Sequence, residues 1–157
     1  MKKSVFAVTL AASAFAFVPT AFATTFPTLT TIYVGTGVRD DGGGIHLGTA
    51  TAFHCSNTSG VTATIRFLVL NNTGGVRASV STSLNHGWTH NASTHSIVAY
   101  TVDTNLATGT VAEGVINIES TQSGVFCNAK TISASALFPD GITLPLVRVN
   151  PHPGTVE

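Results

Sequence analysis

The sequence predicts an all-β protein: a single antiparallel β-sandwich of seven or eight strands after a cleaved signal peptide. Three observations lead there. Beyond residue 23 the only lysine, glutamate and glutamine residues are Lys130, Glu113, Glu119, Glu157 and Gln122, so surface-helix formers are nearly absent. Threonine and valine dominate instead, and both suit a pleated, half-buried surface. Apolar and polar residues alternate in short runs closed by Gly, Asn and Asp, and no dozen-residue window keeps helical spacing free of glycine. The chain has 157 residues, 43% apolar and 9% charged, with seven basic and seven acidic side chains. That is enough for one hydrophobic core. The charge balance excludes a basic nucleic-acid binder, an acidic disordered chain and a coiled coil.

Residues 1–23 read as an export signal. Lys2 and Lys3 form a positive start, the run 5–18 is apolar apart from Thr9 and Ser13, and Pro19 breaks it before Ala21-Phe22-Ala23. The run falls short of the roughly 20 residues a membrane span needs. Cleavage after Ala23 leaves 157 − 23 = 134 residues, a domain over 24–157 with five basic and seven acidic side chains, a net charge of −2. No later stretch is long and apolar enough to span a bilayer, so no membrane insertion follows cleavage. The expected location is the periplasm or the medium outside the cell.

The strands follow in order. Residues 31–38 form the first, closed by the turn Arg39-Asp40-Asp41-Gly42-Gly43-Gly44. Residues 46–56 form the second and carry Cys55. In 61–70, Val61, Ala63, Ile65, Phe67 and Val69 share one face while Thr62, Thr64 and Arg66 take the other. Asn71-Asn72-Thr73-Gly74-Gly75 is a turn that tolerates positive φ, and 76–83 returns as its hairpin partner. A loop over 84–94 precedes a strand at 95–102 and a turn at 103–109. Residues 114–121 and 124–133 read as a second hairpin through Gln122-Ser123. Phe138-Pro139-Asp140-Gly141 turns into a last strand, 142–149, which Pro145 confines to an edge. The tail from Asn150 to Gly154 is too rich in proline for a helix.

Cys55 and Cys127 are the only cysteines, and in an exported chain an even pair reads as a disulfide. The bridge would pin an early strand to a late one, either across two sheets or between neighbours. His86, His90 and His95 lie within ten residues and are the candidate metal ligands, though a polar loop explains them as well. His46 and His54, eight residues apart, would share a face of a regular strand. Arg39-Asp40-Asp41 with three glycines lacks the ligand spacing of a calcium loop and reads as a tight turn. Ser, His and Asp are all present, yet no Gly-x-Ser-x-Gly elbow or other hydrolase signature occurs, and no cofactor is expected. Trp88 and Tyr100 are the candidate ligand surface, since aromatic faces stack on sugars and other planar groups.

The runs Phe53-His54-Cys55-Ser56-Asn57, 60–67, Asn117-Ile118-Glu119-Ser120-Thr121 and Val125-Phe126-Cys127 resemble uncharacterised small exported β-sandwich proteins of proteobacteria. In the pattern of strand, Asn-x-x-Gly turn, long paired strand and later hairpin, about 100 residues are also similar to the sensory-rhodopsin-transducer group. Both resemblances imply a fold and carry over no functional residue. In size and composition the chain also resembles chaperone–usher pilus subunits, but it departs from them in its widely spaced cysteines and its ending, Pro151-His152-Pro153-Gly154-Thr155-Val156-Glu157. The expected function is a non-enzymatic, exported binding or surface-interaction module for a protein or small-molecule partner. The alternatives are a periplasmic metal-binding protein using the histidine cluster and a pilus-like assembly subunit.

Overall fold

A computed structural model describes residues 23–100 and 104–151. The alternation read in the sequence becomes ten strands: β1 (Thr25–Asp40), β2 (Thr49–Asn57), β3 (Ala63–Asn71), β4 (Val76–Leu84), β5 (Thr89–Ser93), β6 (Thr104–Asn105), β7 (Val111–Gln122), β8 (Val125–Ser133), β9 (Gly141–Leu144) and β10 (Leu146–Arg148). They form two five-stranded sheets, ordered β10-β1-β7-β3-β4 and β6-β5-β2-β8-β9. In β3 the odd residues Ala63, Ile65, Phe67 and Val69 are completely buried. They meet Phe53 and Cys55 of β2, Val125 and Ala129 of β8 and Ile116 and Ile118 of β7 in one core shared by both sheets. Burial of a large apolar side chain of this kind contributes roughly 1.5–3 kcal/mol.

Several expectations are corrected. Among the described residues the strand count is ten rather than seven or eight, and the second sheet is mixed, because β5 and β6 pair in parallel. Strand β1 starts six residues earlier than expected. The second strand starts at Thr49, leaving His46 in a turn with φ of 60°. The loop 84–94 contains β5. Residues 95–100 are not a strand: they cross the outer face of the second sheet, where Ile97, with Ala99 and Tyr100, covers Ala50, Ala52, Ile132 and Ala134. The 103–109 turn contains β6.

The expected hairpin 114–121/124–133 does not exist as a pair. Strand β7 bonds to β1 and β3 in the first sheet, while β8 bonds to β2 and β9 in the second. The Ser123-Gly124 link is therefore a corner between sheets. A Cβ on Gly124 would lie 2.7 Å from the Ser59 backbone, so the corner is packed too tightly for any side chain there. Pro145 likewise divides the last strand into β9 and β10, which are edge strands of opposite sheets. Leu144 and Leu146, on either side of it, close over Gly35, where a Cβ would meet both within 3 Å.

One further tie joins the two layers and another joins strands within a layer. Arg148 of β10 reaches the second sheet, with Nη1 donating to the Tyr33 hydroxyl (2.9 Å) and the Val125 carbonyl (3.0 Å) and Nη2 to the Ser123 carbonyl. Its guanidinium lies over the Tyr33 and Phe126 rings, at 5.2 and 5.3 Å. Cys55 and Cys127 are bonded, and they face each other directly in the β2–β8 register with Cα atoms 4.1 Å apart. Of the two arrangements left open by the sequence, the bridge takes the one between neighbouring strands.

The signal-peptide expectation falls almost wholly on residues 1–22, outside the described residues. Strand β1 begins two residues beyond the expected cleavage point. Thr24 N donates to Ser123 Oγ (2.6 Å), and Ser123 N donates to the Thr24 carbonyl (2.8 Å).

Candidate functional site

The three candidate histidines are directed apart by the elements that carry them. His86 lies on the exposed turn before β5, where Nδ1 accepts from Gly60 N at 3.0 Å. His90 stands opposite Cys55 on β5 and so points inward, stacking on Phe67 at 6.2 Å with Nε2 2.9 Å from Thr104 Oγ1. His95 leaves the strand and is buried against β1. Among the described residues no three His, Cys, Asp or Glu side chains are placed to share a metal ion.

His95 belongs to a buried polar unit. Its Nδ1 lies 2.9 Å from Asp40 Oδ2 and its Nε2 lies 2.8 Å from the Leu47 carbonyl. A carbonyl only accepts, so Nε2 donates to Leu47 and the ring is held by its two nitrogens between Leu47 and Asp40. Thr108 Oγ1 also donates to Asp40 Oδ2 (3.1 Å), and Gly42 N to Asp40 Oδ1 (2.7 Å). In a hydrolytic triad the Nε2 would face a nucleophile; here it is held by a backbone carbonyl of the 41–48 loop. The unit fastens that loop to the body of the sheets.

Neighbouring Asp41 fastens the same loop from its exposed side, across a cleft of about 330 Å³ lined by Arg39, Asp40, Asp41, Thr49 and Thr110. Its Oδ2 accepts from Thr49 N (2.7 Å) and its Oδ1 from Gly43 N (3.0 Å). The bond from Thr49 N, above all, holds this carboxyl below its ordinary value of 3.8. A group whose folded-state value is depressed stabilises the fold at neutral pH and stops doing so as pH falls through that value. Acidification below 3.8 is thus expected to release the loop. Amide exchange over 41–49 should accelerate there relative to the rest of the chain. In Asp41→Asn the extra acceleration should vanish, and its persistence would show that another group controls the loop.

The aromatic candidates lie differently from one another. Trp88 is 64% exposed on the turn that enters β5. Tyr100 packs on the outer face of the second sheet, edge-on to His54 with ring centroids 4.8 Å apart. His54 Nδ1 is 2.8 Å from Asn91 Oδ1. Strand register sets His54 between Asn91 and Asn128, and one step along it sets Ser56 between Thr89 and Phe126. Ser56 Oγ and Thr89 Oγ1 are 2.8 Å apart, and Phe126 is 56% exposed. Adjacent strands lie about 4.8 Å apart and alternate residues about 6.7 Å apart. The result is a shallow grid of amide, imidazole and hydroxyl groups bordered by Tyr100 and Phe126, with Trp88 next to Thr89 in the chain. Sequence reading missed His54, Asn91, Asn128 and Phe126 in this role. The signal for the last two was the alternation of 125–133, which points even residues outward.

No family model and no curated protein matches the chain. Among solved structures, the crystal structure of Thermotoga maritima 1070 is similar over 72% of this chain and 88% of that chain, with 14% identity and a TM-score of 0.49. Among the described residues no helix is long and apolar enough to cross a membrane.

Proposed function

We propose that this chain is an exported β-sandwich that works by binding rather than by catalysis, and that its ligand is uncharged and rich in hydroxyls, as a neutral glycan is. The observation that carries this reading is the outer face of the second sheet, where His54, Asn91 and Asn128 form one registered row beside Tyr100. Amides offer both donors and acceptors to sugar hydroxyls, and aromatic rings take the apolar faces of a pyranose. Ser56, Thr89 and Phe126, which form the adjoining row, bring no charge to it. Support for a non-enzymatic role is the Asp40–His95 pair, whose outer nitrogen is engaged by the Leu47 carbonyl. Support for export to the periplasm or beyond is the Lys2-Lys3 start with its apolar run, together with the Cys55–Cys127 disulfide.

A panel of neutral oligosaccharides titrated into the isotope-labelled protein should shift the resonances of Tyr100, His54, Asn91 and Asn128. Loss of two side-chain hydrogen bonds is worth about 2 kcal/mol, so Asn91→Ala with Asn128→Ala should weaken binding about thirty-fold. Shifts confined to another surface would reject this face, and the absence of saturable binding by every sugar would reject the ligand class. Stoichiometric zinc or copper uptake lost in His86→Ala would replace the reading with the metal-binding one.

A further inference from the structure

We propose that β4 pairs with the β4 of a second copy of this chain, antiparallel and centred on Val80. A sheet edge presents unpaired N–H and C=O groups, and proteins that stay apart guard their edges by shortness, proline, charge or cover. The two sheets have four edge strands, β10, β4, β6 and β9. Three are guarded by length: β10 has three residues, β6 two and β9 four, and Pro145 sits between β9 and β10. Strand β4 has nine residues, Val-Arg-Ala-Ser-Val-Ser-Thr-Ser-Leu, with no proline, lysine or acid. Its pairing with β3 runs without a shift from Ala78 to Leu84, so the edge is regular. Among the described residues no other strand bonds to it.

Its one charge does not guard it either. Arg77 is turned toward the 108–110 loop, with Nε donating to the Thr108 carbonyl (3.2 Å) and Nη2 to the Thr110 carbonyl (3.1 Å).

The sequence of β4 selects the occupant. Centred on Val80, an antiparallel pair matches Val76 with the partner's Leu84, Ala78 with the partner's Thr82 and Ser79 with the partner's Ser81. The core-side residues Ala78, Val80 and Thr82 and the solvent-side residues Ser79, Ser81 and Ser83 each meet their own kind. Arg77 falls opposite the partner's Ser83. The two arginines are then six residues apart along the pair, about 20 Å, beyond the screening length of roughly 8–10 Å. A parallel pair in register would stack them about 4.8 Å apart. The antiparallel arrangement joins two five-stranded sheets into one of ten strands through a two-fold axis at Val80.

Light scattering with size-exclusion chromatography over a dilution series tests this on the purified protein. The wild type should be a dimer that dissociates on dilution. Ser79→Glu with Ser81→Glu sets each new glutamate opposite a like charge of the partner and should weaken the dimer at least about tenfold. Ser79→Lys with Ser81→Glu sets opposite charges across the same axis and should restore it. Both variants keep Glu at 81, across from Arg66, and alter only exposed serines, so far-ultraviolet dichroism should match the wild type. A wild type that stays monomeric, a Glu/Glu variant as dimeric as the wild type, or a Lys/Glu variant no tighter than Glu/Glu would each overturn the proposal.

Discussion

Replacing Asp40 with alanine is expected to lower stability by about 3–5 kcal/mol, the cost of leaving three buried hydrogen-bonding groups without their partner. Asp40 is 2% exposed and is the acceptor for His95 Nδ1, Thr108 Oγ1 and Gly42 N together. Its removal leaves His95 Nδ1, on a residue 8% exposed, without its partner and frees the 41–48 loop from its inner anchor. For a domain of this size the melting temperature should fall by about 10–20 °C. The companion variant Asp40→Ala with His95→Leu removes both members of the pair and should recover much of the loss, because a buried polar pair exchanged for apolar groups is often close to neutral. Calorimetry of the two variants decides the matter. A loss under about 1 kcal/mol in Asp40→Ala, or a double variant no better than the single, would show that the pair does not anchor the loop.

The second large effect concerns the disulfide. Cys55 and Cys127 are 72 residues apart, and closing a loop of that length stabilises by about 4 kcal/mol in the chain-entropy model. The variant with Cys55→Ala and Cys127→Ala should therefore unfold at a urea concentration about 2 M lower, for a slope of about 2 kcal/mol/M. Its β content in the absence of urea should persist, since β2 and β8 bond along nine register pairs independent of the sulfurs. An unchanged midpoint would show that the unfolded chain is already compact without the bridge.

The parts of this molecule written in local pattern were readable, and those decided by long-range pairing were not. Strand β3 is legible because it alternates without interruption and is flanked by turn residues. Asn71 Oδ1 accepts from Thr73 N and Gly75 N at that turn, while Gly74 supplies φ of 81°. The cysteine pair was legible because only one pairing exists. The early start of β1 was hidden by Pro27, which sits where the β1–β7 register slips between Thr25 and Thr30 and so withholds no ladder donor. A two-residue link such as Ser123-Gly124 serves a hairpin or a corner equally well, and only the partners of β7 and β8 tell them apart. The segment 95–100 has strand composition, but its Ile97 seals the outer face of β2 instead of joining a sheet. In the candidate site, Tyr100 could be named from its chemistry alone. Asn91 and Asn128 could not, because they are 37 residues apart and meet only through the register of β2.

The order of the strands has a consequence for how the chain comes to be folded. Strand β1, the first among the described residues, needs β7 beside it, β2 needs β8, and β3 also needs β7. A nascent chain that ends before residue 111 therefore lacks the middle of one layer, and before 125 it lacks a neighbour of β2 in the other. Long-range pairing of this kind is slow to nucleate. Such a polypeptide can close neither layer until its last third has been synthesised, so its shape is acquired late and nearly all at once.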